Sequence, residues 1–433
     1  MAESVGELQA ALDVLSAFCG IFDFTVNMDK TELAIFRHRN RQVAEVPLRY
    51  RDMVIRVVED KVKYLGLFYG IMADSSPSIE ERELVAGRAS FGCLSNISKI
   101  GNMSIETKIR MGNIMVRPVA SFGCQIWGAN FLELNKALHC CLESVHTRYL
   151  RMVLGVGSKV DQDVLRVEAC SPAYHSHWVT CIFNFWNELS TSEGMMAHDA
   201  WKDDIVLMLL GCKRCWCYQV LSYAHKNVFF PEGSGFNPDV RNGDRLEGKV
   251  ARVASIIFPQ PLVIEKLNKL YQRQRWMSVQ GIHNPPRTAP SLGYARIRYW
   301  NWIGVSDDYV CKKRVYGSHL CASVCNAGAI NFIRFRVGAW QIRVNDINFK
   351  SSARVERVCD HCRSLNNGAG TTECEDEYHV VFQCPLYAEC RDKYTQLFVT
   401  DDLKKFLEYR DKKVLVDFFW NIRKVRRGKA LLC

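Results

Sequence analysis

The chain has 433 residues, of which 48% are hydrophobic and 24% charged. That length has room for two to four domains with sizeable cores, and the composition excludes wholesale disorder. The formal charge of +11, from 57 Lys and Arg against 46 Asp and Glu, suits a polyanionic partner such as nucleic acid without requiring one.

The opening MAESVGELQAALD lacks the basic region and apolar core of a signal peptide. No uncharged apolar run reaches the roughly 18 residues that suggest a membrane span, and IVLMLLGC stops at Lys213-Arg214. The expectation is a reducing intracellular setting, nuclear or cytoplasmic, with no membrane partner. There the 19 cysteines are free or bound to metal.

Ser4 and Glu7 have capping-box spacing, and Leu8, Ala11, Leu12, Leu15 and Phe18 recur on one face before Gly20, which predicts a first helix. Short strand-like runs follow: DFTVN, KTELAIF after a turn at Asn27-Met28-Asp29, PLRYR, MVIRVV and VKYLGLFYG. One helix and these strands amount to about half of an α+β layer. From residue 76 the pattern turns helical: Ser76-Pro77 opens one helix and Ser104 caps the next. FLELNKALHCCLESVHTRYLRMVLGV repeats Leu134, Leu138, Cys141, Leu142, Val145, Tyr149 and Val153 as one amphipathic helix, with Arg148 and Arg151 off that face. Ser171-Pro172 starts another, through Trp178, Ile182 and Trp186. Breaks near 231–245 and 283–293 divide a less readable stretch containing PLVIEKLNKLYQRQRW, and FLEYRDKKVLVDFFWNIRKVRRGK reads as a closing helix with a basic end. Cys93, Cys124, Cys170 and Cys181 lie in apolar segments and read as small buried hydrophobes. The expected fold is mostly α with a small α+β N-terminal part.

Several of these segments, in this order, resemble the reverse transcriptase of LINE-type (non-LTR) retrotransposons. FDFTVNMDKTELAIF matches a palm motif at Val26, Asn27, Lys30 and Thr31, with Asp23-Phe24 where that family has glycine–leucine. VKYLGLFYG, with Lys63, Tyr64, Leu65 and Gly66, is similar to its primer-gripping hairpin. SFGCQIWG matches a thumb segment at Phe122, Gly123, Trp127 and Gly128, and LESVHTRYLRMVLGV matches the following helix at Leu150-Arg151. IRFRVGAWQIRV, a Cys/His cluster and CPLYAECR complete the C-terminal order. The resemblance implies a partial palm (1–75), a helical thumb (76–200), a helical connector (201–350), a zinc knuckle (351–395) and a basic C-terminal helix (396–433).

The family's Tyr/Phe-Ala-Asp-Asp turn and its earlier palm aspartate are absent from this chain. Nucleotidyl transfer needs carboxylates that clamp two divalent ions, so the chain is not expected to polymerise alone, and Mg2+ is expected only in a full-length polymerase. Asp13, Asp23 and Asp29 read as helix-face or turn residues. The resemblance gives Lys30 a general-acid role toward departing pyrophosphate; the plain alternative is a turn lysine facing water. Tyr64 and Gly66 are similar to primer-grip residues, or belong to an ordinary hairpin.

VCDHCRSLNNGAGTTECEDEYHVVFQCPLYAEC, residues 358–390, holds five cysteines and two histidines. Cys359 and Cys362 form a tight thiolate pair, and His379 and Cys384 supply the third and fourth ligands, across a loop containing Asn366-Asn367-Gly368 and Gly370. His361 and Cys374 compete but lack the family's spacing. Three thiolates and one imidazole would fill a structural Zn2+ shell and leave no place for a catalytic water; the plain alternative is unpaired thiols on a small core. Glu375-Asp376-Glu377 is similar to the family's acidic run and is expected to orient His379. Cys390 is expected to pack in the following helix. Cys212, Cys215 and Cys217, which include a Cys-x-x-Cys pair, read as core or surface thiols, and Cys140-Cys141 reads as a core pair inside a helix.

RNA or DNA is the expected partner, together with the missing N-terminal polymerase part. Arg148, Arg151, Lys312-Lys313-Arg314, Arg423, Lys424, Arg426 and Arg427 are the candidate phosphate contacts. Each run also reads as a solvated face, and the last as a nuclear address. Two alternatives stand beside a polymerase fragment: a domesticated zinc- and nucleic-acid-binding protein with no enzymatic activity, and a non-functional remnant of a decayed element.

Overall fold

The computed structural model describes residues 4–36, 47–71, 75–101, 103–230, 246–280, 299, 326–340, 358–365 and 374–428. Lys312-Lys313-Arg314, the breaks at 231–245 and 283–293, and the loop 366–373 lie outside the described residues. The chain is mostly helical with a few small sheets, and divides into two compact units, Met1–Val85 and Ala86–Cys433.

In the first unit, helix α1 (Val5–Ile21) starts at Ser4, whose hydroxyl accepts the Glu7 N–H at 3.2 Å. It runs past Gly20. Of its residues only Cys19 is buried; Leu15 and Phe18, on the face read as apolar, are 41% and 47% exposed. Among the described residues the strands form three separate pairs rather than one layer. β1 (Glu32–Ala34) is parallel to β4 (Arg56–Val58), β2 (Arg49–Tyr50) is antiparallel to β3 (Met53–Val54), and β5 (Lys61–Tyr64) is antiparallel to β6 (Leu67–Gly70). DFTVN makes no strand. The Asn27 side chain accepts the Lys30 N–H at 3.3 Å and starts a 3-10 turn over Met28–Lys30, an asparagine competing locally with sheet pairing.

In the helical part, α2 (Ser76–Ile100) begins at Ser76-Pro77, and α3 (Ile105–Met111) is capped by Ser104, whose hydroxyl accepts the Thr107 N–H. A π-helical segment, Gly112–Val116, leads to α4 (Arg117–Ala120) and α5 (Cys124–Trp127). The single helix expected over 131–156 is two: α6 (Leu134–Leu138) and α7 (Cys141–Leu154), with Cys140 extended between them. Cys140-Cys141 is therefore a junction, not a mid-helix pair. After α8 (Gln162–Glu168), α9 (Tyr174–Thr191) is the spine of the second unit. Trp178, Ile182 and Trp186 recur every four residues on its buried face, as the sequence indicates. Trp178 meets Trp127 edge-on at 5.1 Å. Trp186 meets Trp201 of α10 (Met196–Leu209) at 5.2 Å and stacks on Trp216 of α11 (Trp216–Lys226) at 5.8 Å.

α12 (Leu246–Ala254) and α13 (Gln260–Gln280) close that core through Val253, Val263 and Leu267. A further helix, α14 (Asn326–Arg336), carries Phe332 and Phe335 onto Phe419 of the closing helix, with ring centroids 5.2 and 4.4 Å apart. The closing segment is again divided: α15 (Asp360–Leu365) and α16 (Ala388–Lys393) precede α17 (Leu403–Leu407), and α18 (Lys412–Arg426) restarts at Asp411, whose carboxylate accepts the N–H groups of Lys413 and Val414. Among the described residues no helix is long and apolar enough to cross a membrane.

Candidate metal centre and cationic surface

Four buried side chains meet between α15 and α16. Cys359 and Cys362 stand one turn apart at the start of α15, while His379 and Cys384 bracket a π-helical turn, His379–Gln383. The π turn matters because residues five apart point well away from each other on an α-helix and come back near register on the wider π form. The Cys384 N–H donates to the His379 carbonyl at 2.7 Å, which closes that turn. The Asp376 carboxylate accepts the His379 N–H at 2.8 Å.

The ligand atoms all lie within 4.8 Å of one another. Cys359 Sγ and Cys362 Sγ are each 3.9 Å from Cys384 Sγ, and Cys362 Sγ is 3.4 Å from His379 Nε2. A tetrahedral ion with metal–sulfur bonds near 2.3 Å spaces its sulfurs by about 3.8 Å, and sulfur from imidazole nitrogen by about 3.5 Å. A disulfide would bring two sulfurs to about 2.0 Å. The edges therefore fit a metal tetrahedron and not a bridge. The hydrogen bond from the Cys384 thiol, with His379 beside it, pulls Cys359 down toward the thiolate that a metal requires.

All four residues chosen from the sequence come together. The competitors do not join them: His361 lies half-buried on α15, and Cys374 makes an isolated bridge to Val358. Cys390 is fully buried in α16, where the sequence put it. The acidic run behaves differently from its expectation. Asp376 holds the backbone of His379, while Glu375 accepts from Arg426 Nη1 at 2.6 Å, 51 residues away, and the same Nη1 donates to the Tyr387 hydroxyl at 2.9 Å. Arg426 is thereby a tie between α18 and the metal-ligand segment.

The other cations divide by position. Arg423 and Arg427, one turn apart at the end of α18, and Arg334 of α14 crowd one another: burial and then the neighbouring guanidiniums lower the pKa values of Arg334 and Arg423. Arg334 Nε is fixed by the Gly155 carbonyl at 2.6 Å. No carboxylate among the described residues pairs with these three. Lys424 lies over the Trp420 ring at 5.3 Å. Arg148 is exposed, whereas Arg151 donates to the Val160 carbonyl at 3.1 Å and braces the loop after α7. Lys30 is exposed in its 3-10 turn. Tyr64 is 66% exposed beside the tight turn Leu65-Gly66, whose φ values of 47° and 86° are those a two-residue hairpin needs.

One constellation escaped the sequence reading. The Glu143 carboxylate, fully buried, accepts from Arg166 Nε at 3.0 Å, from His146 Nδ1 at 3.2 Å and from the Tyr174 N–H at 2.8 Å, and His146 Nε2 is 3.1 Å from Ser171 Oγ. Glu, His and Ser in this order have the residue types of a nucleophilic triad. Ser171 is 0% and His146 3% exposed, so no substrate reaches the hydroxyl, and the network is a lock joining α7, α8 and α9. Burial raises the Glu143 pKa, but Arg166, His146 and the Tyr174 amide outweigh it and leave the carboxyl at about 2.

Searches against protein-family models, curated proteins and solved structures found no match to this chain.

Proposed function

We propose that this chain is the nucleic-acid-binding C-terminal portion of a LINE-type reverse transcriptase, with a zinc-filled knuckle and no nucleotide addition of its own. The observation that carries the reading is the closing helix, which serves two sites at once. Through Arg426 it is tied to the Cys359–Cys362–His379–Cys384 tetrahedron, and through Arg423 and Arg427 it faces Arg334 with no carboxylate among the described residues to neutralise the three. Zinc fits the three-sulfur, one-imidazole donor set, and a filled shell makes the ion structural. Phosphate oxygens are the ligands that crowded, unneutralised guanidiniums favour. The motif order of palm, hairpin, thumb and knuckle supplies the family; the large exposed apolar face of α1 is consistent with a further palm segment packing on it.

The test is anisotropy of labelled single-stranded RNA and of a DNA duplex against the zinc-loaded full chain at several salt concentrations. Affinity should fall linearly in log–log form, and Arg423→Gln with Arg427→Gln should lower the slope by about 1 to 2 while leaving the metal in place. Cys384→Ser should lose both metal and affinity. The chain alone should incorporate no labelled deoxynucleotide. Folded, metal-loaded protein that binds neither nucleic acid, or a double arginine variant with an unchanged slope, refutes the binding reading. Incorporation abolished by altering one of its own carboxylates refutes the non-catalytic one.

A further inference from the structure

The run Cys212-Lys213-Arg214-Cys215, whose cysteines read from the sequence as core or surface thiols, joins α10 to α11. α10 ends in a left-handed cap. Gly211 has a φ of 99°, its N–H donates to the Met208 carbonyl at 2.9 Å, and the Cys212 N–H donates to the Leu207 carbonyl at 3.0 Å. Cys215 is the N-cap of α11, with φ −68° and ψ 154°. Lys213 and Arg214 form the turn between them, so the end of a helix fixes the backbone at each cysteine. The Cys215 thiol donates to the Cys212 carbonyl at 3.1 Å, which lays its sulfur against the other cysteine. Cys212 is exposed, whereas Cys215 is 8% exposed.

We propose that Cys212 and Cys215 are a thiol–disulfide exchange pair, Cys212 the sulfur that meets a small-molecule disulfide and Cys215 the one that resolves it. A bridge needs Cα atoms about 4.4–6.8 Å apart, and the first and fourth residues of a tight turn lie within about 7 Å. Rotation of the exposed Cys212 side chain about its Cα–Cβ bond brings the two sulfurs face to face. Position divides the roles. Cys212 is open to a reagent, while Cys215 is enclosed, and burial pushes its pKa up to about 11, which keeps its proton on until a mixed disulfide forms beside it. Cys217, the third sulfur of the run, stands outside the exchange. It is fully buried, its thiol lies 3.9 Å from the Trp201 carbonyl, and the Asp204 carboxylate accepts its N–H at 2.7 Å. A metal is the rival occupant for clustered cysteines. Among the described residues, however, the Cys359–Cys362–His379–Cys384 cluster is the one group of three or more such side chains placed to hold an ion.

The small disulfide is the oxidant. Cys212 sulfur attacks one of its sulfurs, its S–S bond breaks, and the departing sulfur takes up the proton that Cys212 gives up. A mixed disulfide remains on Cys212. Cys215 sulfur then attacks Cys212 sulfur, the mixed S–S bond breaks, and the second small thiol leaves with the Cys215 proton. Two protein thiols are oxidised by two electrons, one disulfide is reduced to two thiols, and the end of α10 becomes covalently joined to the start of α11. A loop this short removes little entropy from the unfolded chain, so the bridge serves chemistry rather than stability. An external dithiol reverses it.

Lys213 and Arg214 make the test direct, because trypsin cuts after each of them and releases the two cysteines in separate peptides unless a bridge holds them. The zinc-loaded full chain, treated with stoichiometric oxidised glutathione, should give those two peptides as a linked pair in mass spectra. Fragment spectra should place the bridge at Cys215 and not at Cys217, and dithiothreitol should separate the pair. Cys215→Ser keeps a good N-cap for α11; it should lose the linked pair and accumulate glutathione on Cys212 instead. Wild-type protein that leaves Cys212 unmodified, retains glutathione on it, or bridges it to Cys217 overturns the proposal, whether or not the variant folds. A linked pair that persists in Cys215→Ser overturns it as well. None of these results depends on nucleic-acid binding.

Discussion

His175 shows how a single buried side chain sets a pH window. It is fully buried, with Nε2 2.7 Å from the Leu132 carbonyl and Nδ1 2.9 Å from the Tyr271 hydroxyl. A neutral ring satisfies both, donating from Nε2 and accepting at Nδ1. Burial therefore pushes its pKa down to about 4 from an ordinary 6.5. The folded chain then binds fewer protons than the unfolded chain below pH 6.5, so the stability tied to His175 is complete above that value and is lost as pH falls toward 4. Between pH 7 and pH 5 the loss should be roughly 2 kcal/mol. Urea titrations at both values check it. His175→Gln keeps a donor and an acceptor but cannot titrate; it should flatten the dependence by that amount, and an unchanged dependence would exclude His175 as its source. Arg426 makes a different demand, since Glu375 is only 6% exposed at its side chain. Arg426→Ala should cost about 3 kcal/mol, and adding Glu375→Gln should cost less than the sum of the two single changes.

At the scale of elements, Gly155 decides how α7 ends and how α14 sits. Its φ of 64° closes α7, its carbonyl holds Arg334, and a methyl group there would come 2.8 Å from Ile330 Cγ2. Gly155→Ala should destabilise by about 2 to 4 kcal/mol, from left-handed strain plus overpacking. Gly194 also has a positive φ, of 80°, but nothing within 4 Å; its alanine variant should lose only about 1 kcal/mol. Equal losses in denaturant unfolding would argue against the α7–α14 contact. Gly155 marks the limit of legibility as well. Local signals were readable: Ser4 and Ser104 cap their helices, and the Trp178–Ile182–Trp186 spacing gives the buried face of α9. The Cys359–Cys362–His379–Cys384 cluster was readable because residue types and spacing of this kind carry metal chemistry. Breaks that preserve helical phase were not, since Leu138 and Cys141 keep the apolar rhythm across the extended Cys140. Nor were charges that pair at long range. Glu143 with Arg166 and Glu375 with Arg426 look like surface residues until separate segments of the fold bring them together.

Over the whole molecule, burial is uneven, and the metal's role follows from that. Cys19, Leu48, Tyr50 and Ile55 are among the few buried apolar side chains of the first unit, while the second buries continuous tryptophan and phenylalanine layers. Within the second unit the metal-ligand segments have little structure of their own. α15 spans six residues, the π turn five, and among the described residues one isolated bridge, Val358 to Cys374, joins their backbones. By contrast α18 buries Leu415, Phe418, Phe419 and Ile422, and its rings meet Phe332 and Phe335 of α14 and Phe398 and Phe406 beyond the knuckle. A metal held there would thus be coupled to the folding of the ligand segments, whereas α14 and α18 have an apolar core without it. In metal-loaded protein, chelation should release one ion per chain, expose three further reactive thiols and raise amide exchange and protease cleavage over 358–384. Far-UV circular dichroism should change little, and exchange in α9 and α18 should stay slow. If the whole second unit melted with the metal, the ion would be holding the hydrophobic core as well. If exchange over 358–384 did not change, the four side chains would be a thiol-lined core rather than a metal centre.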